Sequence, residues 1–410
     1  MDLLRFCAIG SVDDGKSTLI GRLLADTRQL YEDQVEAVEE ASRRRGHVGV
    51  DLAFVTDGLR AEREQGITID VAYRYAATPR RKFIIADCPG HVQYTSNMAT
   101  GASTANLALV VVDARTGVRE QTRRHLCIAT LVGVDHLVVA VNKMDLVGWD
   151  KATFDQVVTE METLAKGLGV DTLICVPTSA LLGDNVVRPG DVALWYRGPT
   201  LIECLESAAE ASSTDSGPRF PVQWVLRHPG GGRSYAGMVC GGPMATGDEV
   251  VVLPSGARSR LRSIQTFDGA LDLASPGLSV SVTLEDDLDV ARGDLLAPAS
   301  EPPRLARDLD ATVCWFSHRP VAAADRFVLK HTTRTTPAVI TTVQGRLDVN
   351  AMALEPATTL SNNDIGLVQI TTGTALALDD YRSNRVTGSF VLIDSQTHAT
   401  VAAGMVGVTI

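Results

Sequence analysis

Eight residues, Gly10-Ser11-Val12-Asp13-Asp14-Gly15-Lys16-Ser17, constrain this chain more than any other stretch. They fit the spacing G-x-x-x-x-G-K-S/T, with Thr18 directly behind. The apolar run Leu3, Leu4, Phe6, Ala8, Ile9 precedes them, and the helical repeat Leu19, Ile20, Leu23, Leu24 follows. A strand, a glycine-bearing turn and a helix in that order aim backbone N–H groups inward at the positive end of the helix, and Lys16 adds a point charge. Such a cradle suits a polyphosphate. A Gly-rich turn without a ligand is the alternative.

At 410 residues and 45% apolar content the chain is long enough for two to four domains with buried cores. Its longest apolar runs, such as Leu107 to Val112, fall far short of a membrane span, and no charged-then-apolar leader precedes the first strand. A cytoplasmic location is expected, with no membrane partner. The seven cysteines are scattered and form no C-x-x-C pair, which argues against a disulfide framework and a zinc site. A formal charge of −11 opposes broad binding to nucleic-acid backbones.

Behind the loop helix, Tyr31 to Gly46 carries acids early and bases late, the signature of a helix stopped by glycine. Arg60 to Asp70 then feeds a predicted half-buried strand with alternating Ile67, Ile69, Val71, Tyr73 and Tyr75. After a turn at Pro79-Arg80-Arg81, the strand Phe83 to Ala86 ends in Asp87-Cys88-Pro89-Gly90-His91. Further βα units pair Leu107 to Asp113 with a helix over Val118 to Val132, and His136 to Asn142 with a helix over Lys151 to Leu168. The second of these strands leads into Asn142-Lys143-Met144-Asp145. A third strand, Leu173 to Pro177, precedes Ser179-Ala180-Leu181 and a helix over Thr200 to Glu210. Ligand-binding tips at the carboxyl ends of successive parallel strands are what a doubly wound sheet produces.

These elements resemble the five sequence signatures of the GTP-binding protein superfamily. The chemistry of the residues agrees. Asp145 can accept from both N1–H and the 2-amino group of guanine, an edge adenine lacks. Asn142 can meet the base or tie loops together. Lys143 can lay its alkyl stem along the purine face, and the Ala180 N–H is expected to reach the 6-oxo group. Asp-Cys-Pro-Gly-His resembles the translational GTPases. Ser11 to Leu24 together with Leu59 to Asp70 is similar to the GTPase subunit of sulfate adenylyltransferase (ATP sulfurylase). The resemblance continues in Arg219 to Val225, Leu284 to Asp294 and Asn384 to Asp394, so it spans nearly the whole chain. Asp14 stands where translation factors usually carry histidine.

The resemblance implies an α/β P-loop GTPase domain over 1–210, a linker over 211–219, and two all-β barrel domains over 220–303 and 304–410. The small polar run after 210, Gly and Pro punctuation between short strands, and Pro302-Pro303 agree with that division. It further implies a partner subunit that makes adenosine 5′-phosphosulfate from ATP and sulfate, driven by GTP hydrolysis on this chain. An adenylylsulfate kinase, fused behind the chain or separate, is a further implied partner. Ser17, Thr68 and Asp87 are then the expected Mg²⁺ contacts, Lys16 the β/γ-phosphate contact, Gly90 the γ-phosphate sensor and His91 the residue that orients water. No arginine occupies an evident finger position, so slow hydrolysis by the isolated chain is expected. The rival readings are a translational GTPase delivering aminoacyl-tRNA and a scaffold that has lost hydrolysis. Asp14 and the negative charge weigh against the first, and the intact set Lys16, Ser17, Thr68, Asp87 and His91 against the second.

Overall fold

A computed structural model describes residues 2–27, 68–170, 172–209 and 216–408. The helix expected over Tyr31 to Gly46, and the part of the Arg60 to Asp70 segment before Thr68, lie outside the described residues. The chain divides into two compact units, Met1–Ala211 with Val349–Met352, and Ser212–Asp348 with Ala353–Ile410.

In the first unit the strands β1 (Leu3–Gly10), β2 (Ala72–Ala77), β3 (Lys82–Asp87), β4 (Leu107–Asp113), β5 (His136–Asn142) and β6 (Thr172–Pro177) form one sheet in the order β2-β3-β1-β4-β5-β6. Only the β2–β3 hairpin is antiparallel. All seven residues of β4 are buried, as expected of a central parallel strand covered on both faces. The helices are α1 (Lys16–Asp26), α2 (Thr95–Ser103), α3 (Glu120–Leu131), α4 (Lys151–Gly167) and α5 (Leu201–Ser207). Leu19, Ile20, Leu23 and Leu24 of α1 join Leu4, Phe6, Phe83, Leu107 and Leu109 in one core, so the 3.6-residue repeat is the buried stripe. Because strand order reverses around β1, a crevice opens at the carboxyl ends of β1, β3, β4 and β5.

Two expectations for this unit need correction. The strand expected from Ile67 begins at Ala72, and Tyr73 and Tyr75 are 44% and 70% exposed while Ala76 is buried. At a sheet edge, paired on one side only, Ala76 packs into the core and the opposite, aromatic face stays outside. The last helix stops at Ser207, not Glu210. Its start is fixed by Thr200 and Glu203, whose side chains bond reciprocally to each other's backbone in a capping box.

The second unit is two closed antiparallel barrels. Leu295–Pro298, Phe220–Arg227, Arg233–Met238, Ser279–Leu284, Ala257–Thr266 and Glu249–Leu253 pair in that order, and the last closes on the first. The other ring runs Arg326–His331, Ser389–Ile393, Thr400–Val406, Arg304–Trp315, Ile365–Leu378 and Arg334–Asp348, with the last pairing to the first. Arg233–Met238 stops short of Cys240, which makes an isolated bridge to Arg219. In the second ring Arg304–Trp315 carries exposed charged residues such as Asp308 and Asp310 on its ladder with Ile365–Leu378.

A buried fork ties the rings together. Arg219 donates through Nε and Nη2 to Asp379 at 2.9 and 3.0 Å, and the Thr387 hydroxyl adds a bond of 2.6 Å to the same carboxylate. Only 3% of the Arg219 side chain and 10% of the Asp379 side chain is exposed. Removing one partner leaves a buried charge without compensation, so Arg219→Ala is expected to destabilise this unit by about 3 kcal/mol. A denaturant titration measures it. The paired change Arg219→Met with Asp379→Leu should recover most of that loss, and a single variant as stable as the parent would contradict the assignment.

Candidate functional site: a phosphate loop joined to a base-reading loop

The loop from Gly10 to Gly15 turns sharply because Asp13 and Gly15 adopt left-handed backbone angles, φ of 68° and 91°. A Cβ on Gly15 would lie 2.4 Å from Asn142 Nδ2, so only glycine fits. Helix α1 starts at Lys16 without a side-chain cap. Among the described residues, no acceptor meets the backbone N–H groups of Val12, Asp13, Gly15, Lys16, Ser17 or Thr18. Unbonded donors at a helix N-terminus are complementary to phosphate oxygens. A Cβ on Gly90 would stand 2.9 Å from the Gly10 carbonyl oxygen, so the Asp87–His91 loop lies directly against this cradle.

The lysine and the two oxygen-bearing tips converge. Lys16 Nζ donates to Asp87 Oδ1 at 2.7 Å and to Thr68 Oγ1 at 3.4 Å, with the Lys16 and Asp87 side chains only 7% and 1% exposed. Among the described residues, the other Asp87 oxygen is buried without a hydrogen bond. Ser17 follows Lys16 in the first turn of α1. A carboxylate with a spare buried oxygen beside hydroxyl side chains is a donor set that suits Mg²⁺, a hard cation that takes oxygen ligands.

Asn142 acts as the tie between loops. Its Nδ2 donates to the Asp14 carbonyl at 2.9 Å, and its Oδ1 accepts from the Ala180 N–H at 2.9 Å. This corrects the expectation for Ala180, whose N–H is bonded within the protein. The neighbouring Leu181 N–H has no acceptor among the described residues. Ser179 is buried, and its Oγ accepts from the Leu182 N–H at 3.3 Å. Lys143, at a left-handed φ of 61°, sends its ammonium to the Asp13 carbonyl and to Asp113 Oδ2, the latter at 3.0 Å. Its stem is thereby stretched alongside the loop. No hydrogen bond from the described residues reaches the Asp145 carboxylate. Met144 and Cys88 are wholly buried, and Pro89 is buried too, so these members of the two motifs fill the core beneath the site.

His91 precedes a short 3-10 turn, Val92–Tyr94, without capping it through its side chain. Its ring meets Tyr94 edge-on, centroids 6.4 Å apart, and among the described residues its Nδ1 has no hydrogen bond. Its position beside the cradle comes from Gly90 and not from a helix-capping duty.

Three contributors were not singled out in the sequence. Asp113, at the tip of β4, anchors Lys143. Burial pushes its carboxyl up, but hydrogen bonds from Arg115 and Lys143 outweigh that and hold it well below the usual carboxylate range. Its place at a strand's carboxyl end was the available signal. Thr122 and His125 of α3 back the cradle. Thr122 Oγ1 lies 3.1 Å from Ser11 Oγ, and burial, then the charges of Lys16 and Arg124, press the His125 pKa to about 3. The imidazole is therefore neutral.

Asp14 is 1% exposed, accepts from the Ser11 N–H at 2.9 Å through Oδ2, and leaves Oδ1 without a partner among the described residues. Burial, only partly offset by that bond, raises its pKa from 3.8 to about 6. An acid held more tightly protonated in the fold contributes stability that is complete below about pH 4 and lost as pH rises through about 6. Asp14→Asn retains an acceptor for Ser11 and escapes the charge penalty. It is expected to be more stable than the parent at pH 7 by about 1 to 3 kcal/mol. Denaturation midpoints between pH 4 and 7 test this: the variant should lack the parent's decline, and parallel profiles would refute it.

Sheet order, the cradle at Gly10–Ser17 and the Asn142–Asp145 and Ser179–Leu181 tips at neighbouring strand ends together fit a P-loop nucleotide-binding protein of the GTPase class. Residues 1–212 match the family described as elongation factor Tu GTP binding domain, and residues 308–407 match the GTP-eEF1A C-terminal domain-like family. The chain is 53% identical over 413 residues to the bifunctional enzyme CysN/CysC of Mycobacterium tuberculosis, covering 98% of this chain and 67% of that protein. It is 48% identical to the bifunctional enzyme NodQ of a Rhizobium species, covering 98% of this chain and 63% of that protein. Against sulfate adenylyltransferase subunit 1 of Aeromonas salmonicida it is 48% identical, covering 98% and 86%. The chain thus belongs to the sulfate adenylyltransferase subunit 1 family, within the elongation factor Tu-like GTPases. It spans about two thirds of the length of the bifunctional relatives.

Proposed function

We propose that this chain binds and hydrolyses GTP as the GTPase subunit of sulfate adenylyltransferase. In this reading hydrolysis drives synthesis of adenosine 5′-phosphosulfate from ATP and sulfate by a catalytic partner subunit, in the cytoplasm. The observation that carries it is the convergence of Lys16, Thr68 and Asp87 beside a cradle that Asn142 ties to the base-reading loop. Residues 1–210 would act as the nucleotide domain, 211–219 as a linker, and 220–303 and 304–410 as the barrels.

The free N–H groups of the loop and Lys16 would receive the β and γ phosphates, the ammonium exchanging one oxygen partner for another. Ser17, Thr68 and Asp87 would hold Mg²⁺, which when bound neutralises charge on the phosphate oxygens. Gly90 would offer its N–H to the γ-phosphate, and His91 would orient the attacking water. Asp145 would read the N1–H and 2-amino edge, Lys143 would cover one face of the purine, and the Leu181 N–H would meet the 6-oxo group. Thr68 and Gly90 have triphosphate-dependent partners in this scheme, so loss of the γ-phosphate would release both segments and alter what the partner meets. An adenylylsulfate kinase, fused or separate, would consume the product.

The test is reconstitution with the catalytic subunit, followed by sulfate-dependent release of pyrophosphate from ATP. GTP should raise that release, and a non-hydrolysable GTP analogue should not. A rate indifferent to GTP would remove the cellular role while leaving nucleotide binding intact.

A further inference from the structure

Arg22, on the helix that begins with Lys16, crosses to the base-reading loop. Its Nε donates to the Ala180 carbonyl at 3.1 Å and its Nη2 to the Leu181 carbonyl at 2.6 Å, while Nη1 lies 3.6 Å from Asp26. Two arms of one guanidinium thus grip consecutive carbonyls, a geometry that a lysine ammonium cannot reproduce. The loop turns back at Gly183, φ +89°, where a Cβ would lie 3.5 Å from Arg22 Cδ.

The Ala180 carbonyl and the Leu181 N–H belong to one planar trans peptide, so they point in opposite directions. Fixing the oxygen on the Arg22 side aims the N–H to the other side, and a cation on the oxygen polarises the peptide and strengthens its donor. That N–H is unbonded among the described residues, whereas the Ala180 N–H is committed to Asn142. We propose that Arg22 is a specificity-positioning residue: it holds the Leu181 amide in place as the donor to the carbonyl edge of guanine. This rests on the guanine reading of Asp145.

The experiment measures equilibrium affinities of the full chain for GTP and for 6-thio-GTP, which keeps the edge read by Asp145 and replaces the 6-oxygen by a weaker acceptor. The parent should prefer GTP. Arg22→Ala should raise the Kd for GTP about tenfold, the scale of one charge-assisted positioning bond, and raise that for 6-thio-GTP by about twofold at most. Arg22→Lys, which keeps the charge and one carbonyl contact, should fall between parent and alanine variant, and serves alone if the alanine variant does not fold. Equal losses for both nucleotides, or unchanged GTP affinity, would overturn the proposal. Asp145→Asn run in parallel separates the two ideas. Should it fail to exchange guanine for xanthine preference, the base assignment falls; should it succeed while the Arg22 variants keep the parent's ratio, only the role of Arg22 falls.

Discussion

Replacing Asp145 by asparagine is expected to weaken GTP binding by about 100-fold or more and to create affinity for xanthosine triphosphate. The carboxylate meets no donor among the described residues, so both of its oxygens are available to a base. Its charge is felt nearby: Asp184 is raised first by burial and then by the charges of Asp145 and Asp191. Two hydrogen bonds from a neutral base to a charged acceptor contribute about 1.5 to 3 kcal/mol each, which sets the size of the loss. An asparagine amide turned toward guanine would oppose donor to donor. Toward xanthine it regains complementarity, because the 2-oxo group accepts from Nδ2 while N1–H donates to Oδ1. Competition binding with GDP and xanthosine diphosphate reads the change, and undiminished affinity for GDP would show that the base sits elsewhere.

His91→Ala should lower the GTP turnover number of the reconstituted complex by about 100-fold, at the lower end of what a positioned proton-transfer or water-orienting group contributes. Nucleotide affinity should stay within about twofold, because among the described residues His91 makes no capping bond and none through Nδ1. A glutamine at this position can still hold a water and should recover part of the rate. Single-turnover hydrolysis separates this from slow product release. A variant that hydrolyses GTP at the parental rate would leave His91 a bystander.

The site was legible in the sequence to the extent that phosphate and base chemistry dictate residue types. A cradle needs Gly15 and Lys16 at that spacing, and Asp87 and Asn142 had to fall at strand ends once the sheet was doubly wound. What was not legible is which donor meets which acceptor. Nothing local distinguishes the Ala180 N–H from the Leu181 N–H; the choice follows from Asn142 arriving across 38 residues of chain. Arg22 looks like any polar position on an amphipathic helix until the loop after β6 folds beneath it. The barrels show the same limit. Arg304–Trp315 has Arg304, Arg307 and Asp308 among its first five residues and becomes a strand because Ile365–Leu378 supplies its ladder.

One carboxamide, that of Asn142, is shared between the turn that would cup the triphosphate and the turn that would read the purine. Recognition of head and tail is therefore mechanically joined, and the free energies of the two contacts should not be separable. Guanosine stripped of its phosphates, or a triphosphate bearing a foreign base, would each engage only one of the two turns that this carboxamide holds together. Discrimination of this kind reaches beyond the few atoms that touch the base.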